Sequence, residues 1–354
     1  MDLNYSEKIK INENSQAIIA ESVHNCPLCH KAGEIRYKGL RDSIWPTPGE
    51  WTYRACKYCE LLWLDPRPTS ECFSLIYPKD YITHSEPPDF LSPRLDLWGN
   101  IRLGVKLEVL RRAYGYPIES QSSISRFIGM FAAYIPFIKH WVGYTVRFLP
   151  ARKGRLLDIG CGNGDFLITM SKLGFWQVEG VEPDSISAEL GRKVGLKIYE
   201  ETVESITLEP DSFGAITLHH VIEHLSDPMG VLKKLSGALC PGGLLVSISP
   251  NPIAFLARWF GGNWRGLEPP RHFVLMGPQT LANMARQLGL EPIVWTTARN
   301  SEWMARESIS ILRYGDIKTY KGQYLPSFIA LVSKALTMVN SKLGEEVVLI
   351  ARKK

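Results

Sequence analysis

The sequence predicts an α/β fold built on a parallel, doubly wound sheet, and three observations lead there. Arg155-Leu-Leu-Asp-Ile159 is a short apolar run suited to a strand buried on both faces, and Asp158 lies near its carboxyl end, where open α/β sheets bind ligands. It runs into Gly160-Cys-Gly-Asn-Gly164, whose alternate glycines let the backbone turn sharply and approach a ligand without a Cβ in the way. From Gly154 onward, apolar strands alternate with helical segments, which is the pattern of a sheet covered on both faces.

The glycine spacing is G-x-G-x-G, with Asp165 at the next position, and so differs from the G-x-G-x-x-G of dinucleotide-binding turns. Leu157-Asp-Ile-Gly-Cys-Gly-Asn-Gly164 closely resembles the first motif of the class I S-adenosylmethionine-dependent methyltransferases. The resemblance implies a Rossmann-like sheet of strand order 3-2-1-4-5-7-6 over residues 151–354. It also implies that Asp158, Gly160, Cys161, Gly162 and Gly164 contact the methyl donor. The second strand, Gln177-Val-Glu-Gly-Val181, closes on Glu182, which lies eighteen positions beyond Gly164 and is placed to accept the two ribose hydroxyls. Asp184 reads as a cap of the next helix. A third strand around Leu196–Tyr199 leads to Val203, where the resemblance puts adenine packing. The fourth is Ala215–Leu218, with Gly214 where relatives usually carry Asp. The fifth is Gly243–Ser249, and Pro292–Thr296 and Glu346–Arg352 are expected as a terminal antiparallel pair.

At 354 residues the chain exceeds one typical domain, so a core plus a smaller module is expected. Cys26-Pro-Leu-Cys29 and Cys56-Lys-Tyr-Cys59 form two C-x-x-C knuckles that fit one closed, structural zinc site, read as a zinc ribbon over residues 1–84. Cys72, Cys161 and Cys240 lie outside the pairs. Pro66 and Pro68 end the ribbon, and Leu75–Tyr81 is expected to lead across the mouth of the core. The arrangement resembles a subgroup of class I methyltransferases with an N-terminal zinc module, several of which act on deoxysugars or in surface-polysaccharide pathways.

Residues 85–150 form a helical linker or lid. Within them Phe127–Ile138 is an apolar run too short for a membrane span, and two readings stay open: packing over the core, or contact with a membrane interface. A second apolar insertion covers 318–342 beside an aromatic one at 252–273; a homodimer interface would use the same surface. Lys+Arg 41 against Asp+Glu 36 leaves a net charge of +5 without a long basic block, which argues against a nucleic-acid reader. The polar N-terminus lacks the apolar core of a signal peptide, so a cytoplasmic protein is expected, peripheral to the inner face of the membrane if the interface reading holds.

His219-His-Val-Ile-Glu-His224 and Glu268-Pro-Pro-Arg-His272 carry the candidate chemistry. The first resembles the E-x-x-E-H motif of metal-assisted O-methyltransferases, including ubiquinone-pathway and small-RNA enzymes, with His220 in place of the first glutamate. Two uses compete. His220, Glu223, His224 and His272 could hold a divalent ion, or one histidine could act as a general base, with His272 first choice, then His220 or His219. Arg265 and Arg271 could bind an anionic group on the acceptor or pair with Glu268. The expected activity is methyl transfer to a small-molecule, sugar or lipid-linked glycan acceptor. The alternatives are metal-assisted O-methylation, RNA 2′-O-methylation included, and a degenerate fold serving as a binding adaptor.

Overall fold

The computed structural model describes residues 8–13, 16–45, 47–77, 85, 96–118 and 122–354; the Tyr81 end of the segment expected to cross the core's mouth lies outside them. Two compact units divide the chain. One takes the described residues of Met1–Tyr81 together with His219–Lys233 and Ser247–Ile350. The other takes the described residues of Ile82–Leu218 together with Lys234–Val246 and Ala351–Lys354.

In the first unit, β1 (Lys8–Glu13), β2 (Gln16–Glu21) and β6 (Arg67–Pro68) form a small sheet. A second sheet runs β12-β5-β4-β3, joining β3 (Glu34–Leu40), β4 (Trp51–Ala55) and β5 (Leu62–Leu64) to the distant β12 (Val274–Leu275). The cysteine-bearing segment is therefore built into this unit. Trp51, Tyr53 and Leu64 share one core with Trp264, Phe273, Met304 and Ile309. The buried Tyr53 hydroxyl lies 2.5 Å from the Leu267 carbonyl and 2.6 Å from that of His272. The Leu64 amide donates to Phe273 O, and the Phe273 amide donates in turn to Glu223 O.

The main sheet has seven strands: β7 (Gly154–Ile159), β8 (Trp176–Val181), β9 (Lys197–Tyr199), β10 (Phe213–His219), β11 (Leu239–Pro250), β13 (Leu290–Thr297) and β14 (Glu346–Lys353). Its order, β13-β14-β11-β10-β7-β8-β9, is the 3-2-1-4-5-7-6 arrangement read from the other edge. The pairs β10–β7, β7–β8 and β8–β9 are parallel. The helices among the described residues are α1 (Phe73–Ile76), α2 (Leu97–Tyr114), α3 (Ser123–Ala132), α4 (Pro136–Gly143), α5 (Asp165–Lys172), α6 (Ser185–Lys193), α7 (Pro228–Ala238), α8 (Phe255–Phe260), α9 (Pro278–Gln287), α10 (Ser301–Tyr314) and α11 (Tyr324–Val339). The parallel returns β7–β8 and β8–β9 each cross over through a helix, α5 and α6. Asp184 caps α6 by accepting from the Ser187 amide (2.8 Å), and Asp227 accepts from Gly230 at the start of α7 (2.9 Å).

Within the second unit, Gly214 has a packing reason. A Cβ there would come 3.1 Å from the Trp176 ring, so a larger residue at this position would require the indole to shift. Glu179 ties three strands together. Its buried carboxylate accepts from Arg155 (2.8 Å), Lys197 (2.9 Å) and Tyr199 (2.8 Å). Burial alone would raise its pKa, but the three donors outweigh it and hold the carboxyl at about 2. A carboxyl depressed below its ordinary 4.5 stabilises the fold above that pH and ceases to do so as pH falls through about 2. Glu179→Gln is expected to cost of order 2 kcal/mol at neutral pH in urea unfolding, a deficit that shrinks toward zero between pH 4.5 and 2; a pH-independent deficit would contradict the assignment.

Candidate functional site

At the carboxyl end of β7, the backbone adopts left-handed angles at Gly160 (φ +63), Gly162 (φ +55) and Gly164 (φ +85), which an L side chain would resist. The turn aims the Gly162 amide at Glu182 Oε2 (2.8 Å), and the Asp184 amide reaches Oε1 (3.0 Å). Each carboxylate oxygen keeps a second lone pair. Burial raises the Glu182 carboxyl, opposed by those two amides. Asp158 is fully buried; Oδ1 accepts from Arg147 Nη1 and from Thr217 Oγ1 (2.7 Å), and Oδ2 has no hydrogen-bond partner. Arg147 also lies over the Phe166 ring, 3.8 Å from its centroid, and it and Phe148 take left-handed angles (φ +46 and +62). Cys161 is buried, and its burial pushes the thiol pKa far up, so it stays protonated. Val203 is buried too, its carbonyl taken by Lys234 Nζ (2.9 Å).

In the other unit, the chain leaves β10 at His219 and turns through His220 at φ +55; a 3-10 turn then spans Ile222–His224. His220 donates from Nδ1 to Glu223 Oε1 (3.1 Å) and from Nε2 to Glu346 Oε1 (3.0 Å). Burial opposes its charge, but the two carboxylates prevail and lift its pKa to about 10. With both nitrogens engaged, His220 has no lone pair for a base or a metal, so the expected four-residue group reduces to Glu223, His224 and His272. Those three offer ligand atoms that lie within 4.8 Å of one another. His272 Nδ1 faces Gly266 O (2.9 Å) and His224 Nδ1 faces Arg271 O (3.0 Å). A carbonyl only accepts, so each Nδ1 carries a proton; the Tyr77 hydroxyl also meets His224 Nδ1 (2.9 Å), and His272 Nε2 lies 3.7 Å from Glu268 Oε2. The rings stand edge to face with centroids 4.8 Å apart. Burial lowers His272 to about 4, against the pull of Glu268, which keeps the ring neutral. Glu223 Oε2 is buried without a partner.

Arg265 and Arg271 do not present themselves to a ligand. Arg265 is engaged by Glu268 and Glu307 (2.5 Å each), and Arg271, with no exposed side chain, by Asp42 (2.6 Å) and Glu268 (3.0 Å). Their sequence reading as anion clamps gives way to the pairing alternative, because an anionic ligand would have to displace buried carboxylates.

The two cysteine knuckles repeat one geometry. Cys26 and Cys56 each accept, through their carbonyls, from the residue four positions on, His30 (2.8 Å) and Glu60 (3.1 Å), and those residues take matching φ of 60 and 59. Cys26 Sγ lies 3.4 Å from Cys59 Sγ, and Cys29 Sγ lies 3.4 Å from Cys56 Sγ, with all four sulfurs within 4.8 Å and none in a disulfide. A tetrahedral zinc with bonds of about 2.3 Å would set the sulfurs about 3.8 Å apart. The four could hold such an ion.

A family model described as a methyltransferase domain matches residues 134–294. A ubiquinone biosynthesis O-methyltransferase of Bordetella bronchiseptica is 30% identical over 167 residues, 43% of this chain and 67% of the relative. The chain belongs to the class I S-adenosylmethionine-dependent methyltransferases. The enzyme of the same name from Bordetella avium is 29% identical over 172 residues, 44% of this chain and 69% of that one. Among solved structures, an S-adenosylmethionine-dependent methyltransferase of Archaeoglobus fulgidus covers 63% of this chain and 93% of its own, at 19% identity and TM-score 0.41.

For a methyltransferase, the loop around Asp158 and Glu182 suits its donor. An unpartnered buried carboxylate oxygen matches a cationic ligand, and the spare lone pairs of Glu182 match a vicinal diol. Sequence reasoning missed Arg147 and Thr217 at this site. Thr217 had a signal, a hydroxyl inside the apolar run of β10; Arg147, eleven residues before Asp158, had none. Glu182→Gln is expected to weaken S-adenosylmethionine binding at least about tenfold by calorimetry, while unliganded thermal unfolding shifts by only a few degrees. Unchanged affinity would remove Glu182 from the donor site.

Proposed function

We propose that this methyltransferase transfers the methyl group of S-adenosylmethionine to an acceptor hydroxyl, with Asp158, Gly160, Cys161, Gly162, Gly164, Glu182 and Val203 holding the donor and His272 receiving the acceptor proton. The observation that carries the reading is the buried His272, neutral, its Nδ1 fixed by Gly266 O and its Nε2 3.7 Å from Glu268 Oε2, set beside His224 and Glu223. The relatives' name, O-methyltransferase, supports oxygen as the acceptor atom. The acceptor oxygen attacks the methyl carbon in line with the sulfonium; the C–S bond breaks, sulfur keeps the electron pair, and the hydroxyl proton passes to His272 Nε2. His219, which ends β10 two residues after Thr217, is the next histidine in line for that role. The acceptor we favour is a small hydroxylated molecule, a sugar or lipid-linked one included.

One observation favours a second reading. Glu223 Oε2 lacks a partner, and both neighbouring histidines have their Nδ1–H groups fixed by carbonyls, the support that metal-ligating imidazoles use. Glu223, His224 and His272 would hold a divalent cation, whose Lewis acidity would lower the pKa of the acceptor hydroxyl. Separately, Cys26, Cys29, Cys56 and Cys59 are proposed to hold a structural zinc.

Transfer of labelled methyl from S-adenosylmethionine into an extract of cells lacking the gene reads the activity, and the phase that takes up label identifies the acceptor class. His272→Ala is expected to lower the rate about 10²–10⁴-fold with donor affinity unchanged; a rate within about threefold of wild type would clear His272 of that role. Elemental analysis separates the metal readings. One zinc per chain, lost in Cys29→Ser and kept in His224→Ala, assigns the ribbon alone; a second equivalent lost in His224→Ala assigns the triad as well.

A further inference from the structure

α3 shows which of its faces it packs and which it leaves out. Ser125, Gly129 and Ala132, its small residues, are buried, and the Ser125 hydroxyl donates to Ile101 O of α2 (3.2 Å). Approach is so close that a Cβ on Gly129 would lie 2.6 Å from Glu108 Cβ. The large side chains at i, i+3, i+4 and i+7, namely Ile124, Phe127, Ile128 and Phe131, all point to solvent, with Phe127 64% exposed. A helix serving only the core would do the reverse. The apolar surface continues over the turn into α4, where Tyr134 is 80% exposed and Phe137 and Trp141 are exposed as well.

We infer that the α3–α4 hairpin docks the protein on an anionic lipid bilayer, inserting its aromatic face at the headgroup boundary while its basic residues meet the phosphates. Charge decides the occupant. No Asp or Glu occurs between Gln121 and Leu157, whereas Arg126, Lys139, Arg152 and Lys153 are exposed. In a symmetric dimer through this face, the same patch would meet itself and set cations against cations. A layer of lipid phosphates pairs them instead, at about fivefold in affinity for each residue near the surface. The size fits too. α3 has ten residues, about 15 Å of helix, suited to lying in an interface, and no helix among the described residues is long and apolar enough to cross a membrane. The inference rests on this surface alone and holds for any acceptor.

Flotation of the full-length protein with vesicles tests it. Binding is expected with phosphatidylcholine vesicles containing phosphatidylglycerol, and much less with phosphatidylcholine alone. Phe127→Ser combined with Phe131→Ser should lower the bound fraction at least about tenfold, and Lys139→Gln about fivefold, with thermal unfolding unchanged because these side chains are exposed. A readout that needs no core change is quenching by brominated phosphatidylglycerol, part of which should vanish in Trp141→Phe. No flotation with either vesicle overturns the inference, as does flotation that the double variant leaves intact. A wild-type dimer in sedimentation that the double variant splits, without flotation, overturns it in favour of self-association.

Discussion

The unit built on β7, β8 and β9 depends on one backbone amide meeting one carboxylate. Gly162 N reaches Glu182 Oε2 only because three glycines turn the chain left-handed after β7, and because parallel pairing with β8 brings Glu182 to the same end of the sheet. The loop is held from the strand side as well, since the Gly160 and Cys161 amides donate to Val181 O. A bond to Glu182 thus fixes the loop, and each of its oxygens keeps a second lone pair. Asp158 plays the complementary part. Arg147 and Thr217 satisfy one of its oxygens and leave the other buried and bare, a state that costs free energy unless a ligand donates to it.

In the other unit, the cysteine-bearing strands act as the scaffold of the histidine group. β5 pairs with β12 immediately after His272, Tyr53 reaches the Leu267 and His272 carbonyls, and Asp42 clamps Arg271. The Thr280 hydroxyl donates to Cys59 O, so the second knuckle is tied to α9 as well. Segment 264–275 has little regular structure of its own and takes its conformation from these contacts. A closed zinc site at Cys26, Cys29, Cys56 and Cys59 would then act at a distance, by holding the hairpin that holds His272.

The strands of the main sheet were legible because buried parallel strands write themselves as apolar runs, and the glycine loop because its backbone geometry tolerates few residues. The sheet order came from resemblance, and the structure has it. What could not be read was pairing between distant charges. The sequence presents His220 as the first member of a ligand motif, but Glu346, 126 residues away, takes its second nitrogen. Arg265 and Arg271 look like ligand-binding arginines until Glu307 and Asp42 come into place through tertiary folding. Arg147 reaches Asp158 by a left-handed turn for which no local residue pattern exists.

These pairings bear on how the acceptor is handled. Among the described residues of the ion-pair network around His224 and His272, the cations His220, Arg265 and Arg271 are engaged by Glu223, Glu346, Glu268, Glu307 and Asp42. Each of these cations is bonded to a carboxylate. Carboxylates repel an anionic acceptor and raise the pKa of a hydroxyl brought beside them, because the oxyanion is the disfavoured form. A base held near pKa 4 would remove that proton only as the new C–O bond forms, when the oxygen's charge is already falling. A divalent cation on Glu223 Oε2 would instead reverse the local sign. Bound metal is therefore the quantity on which the two proposed mechanisms part.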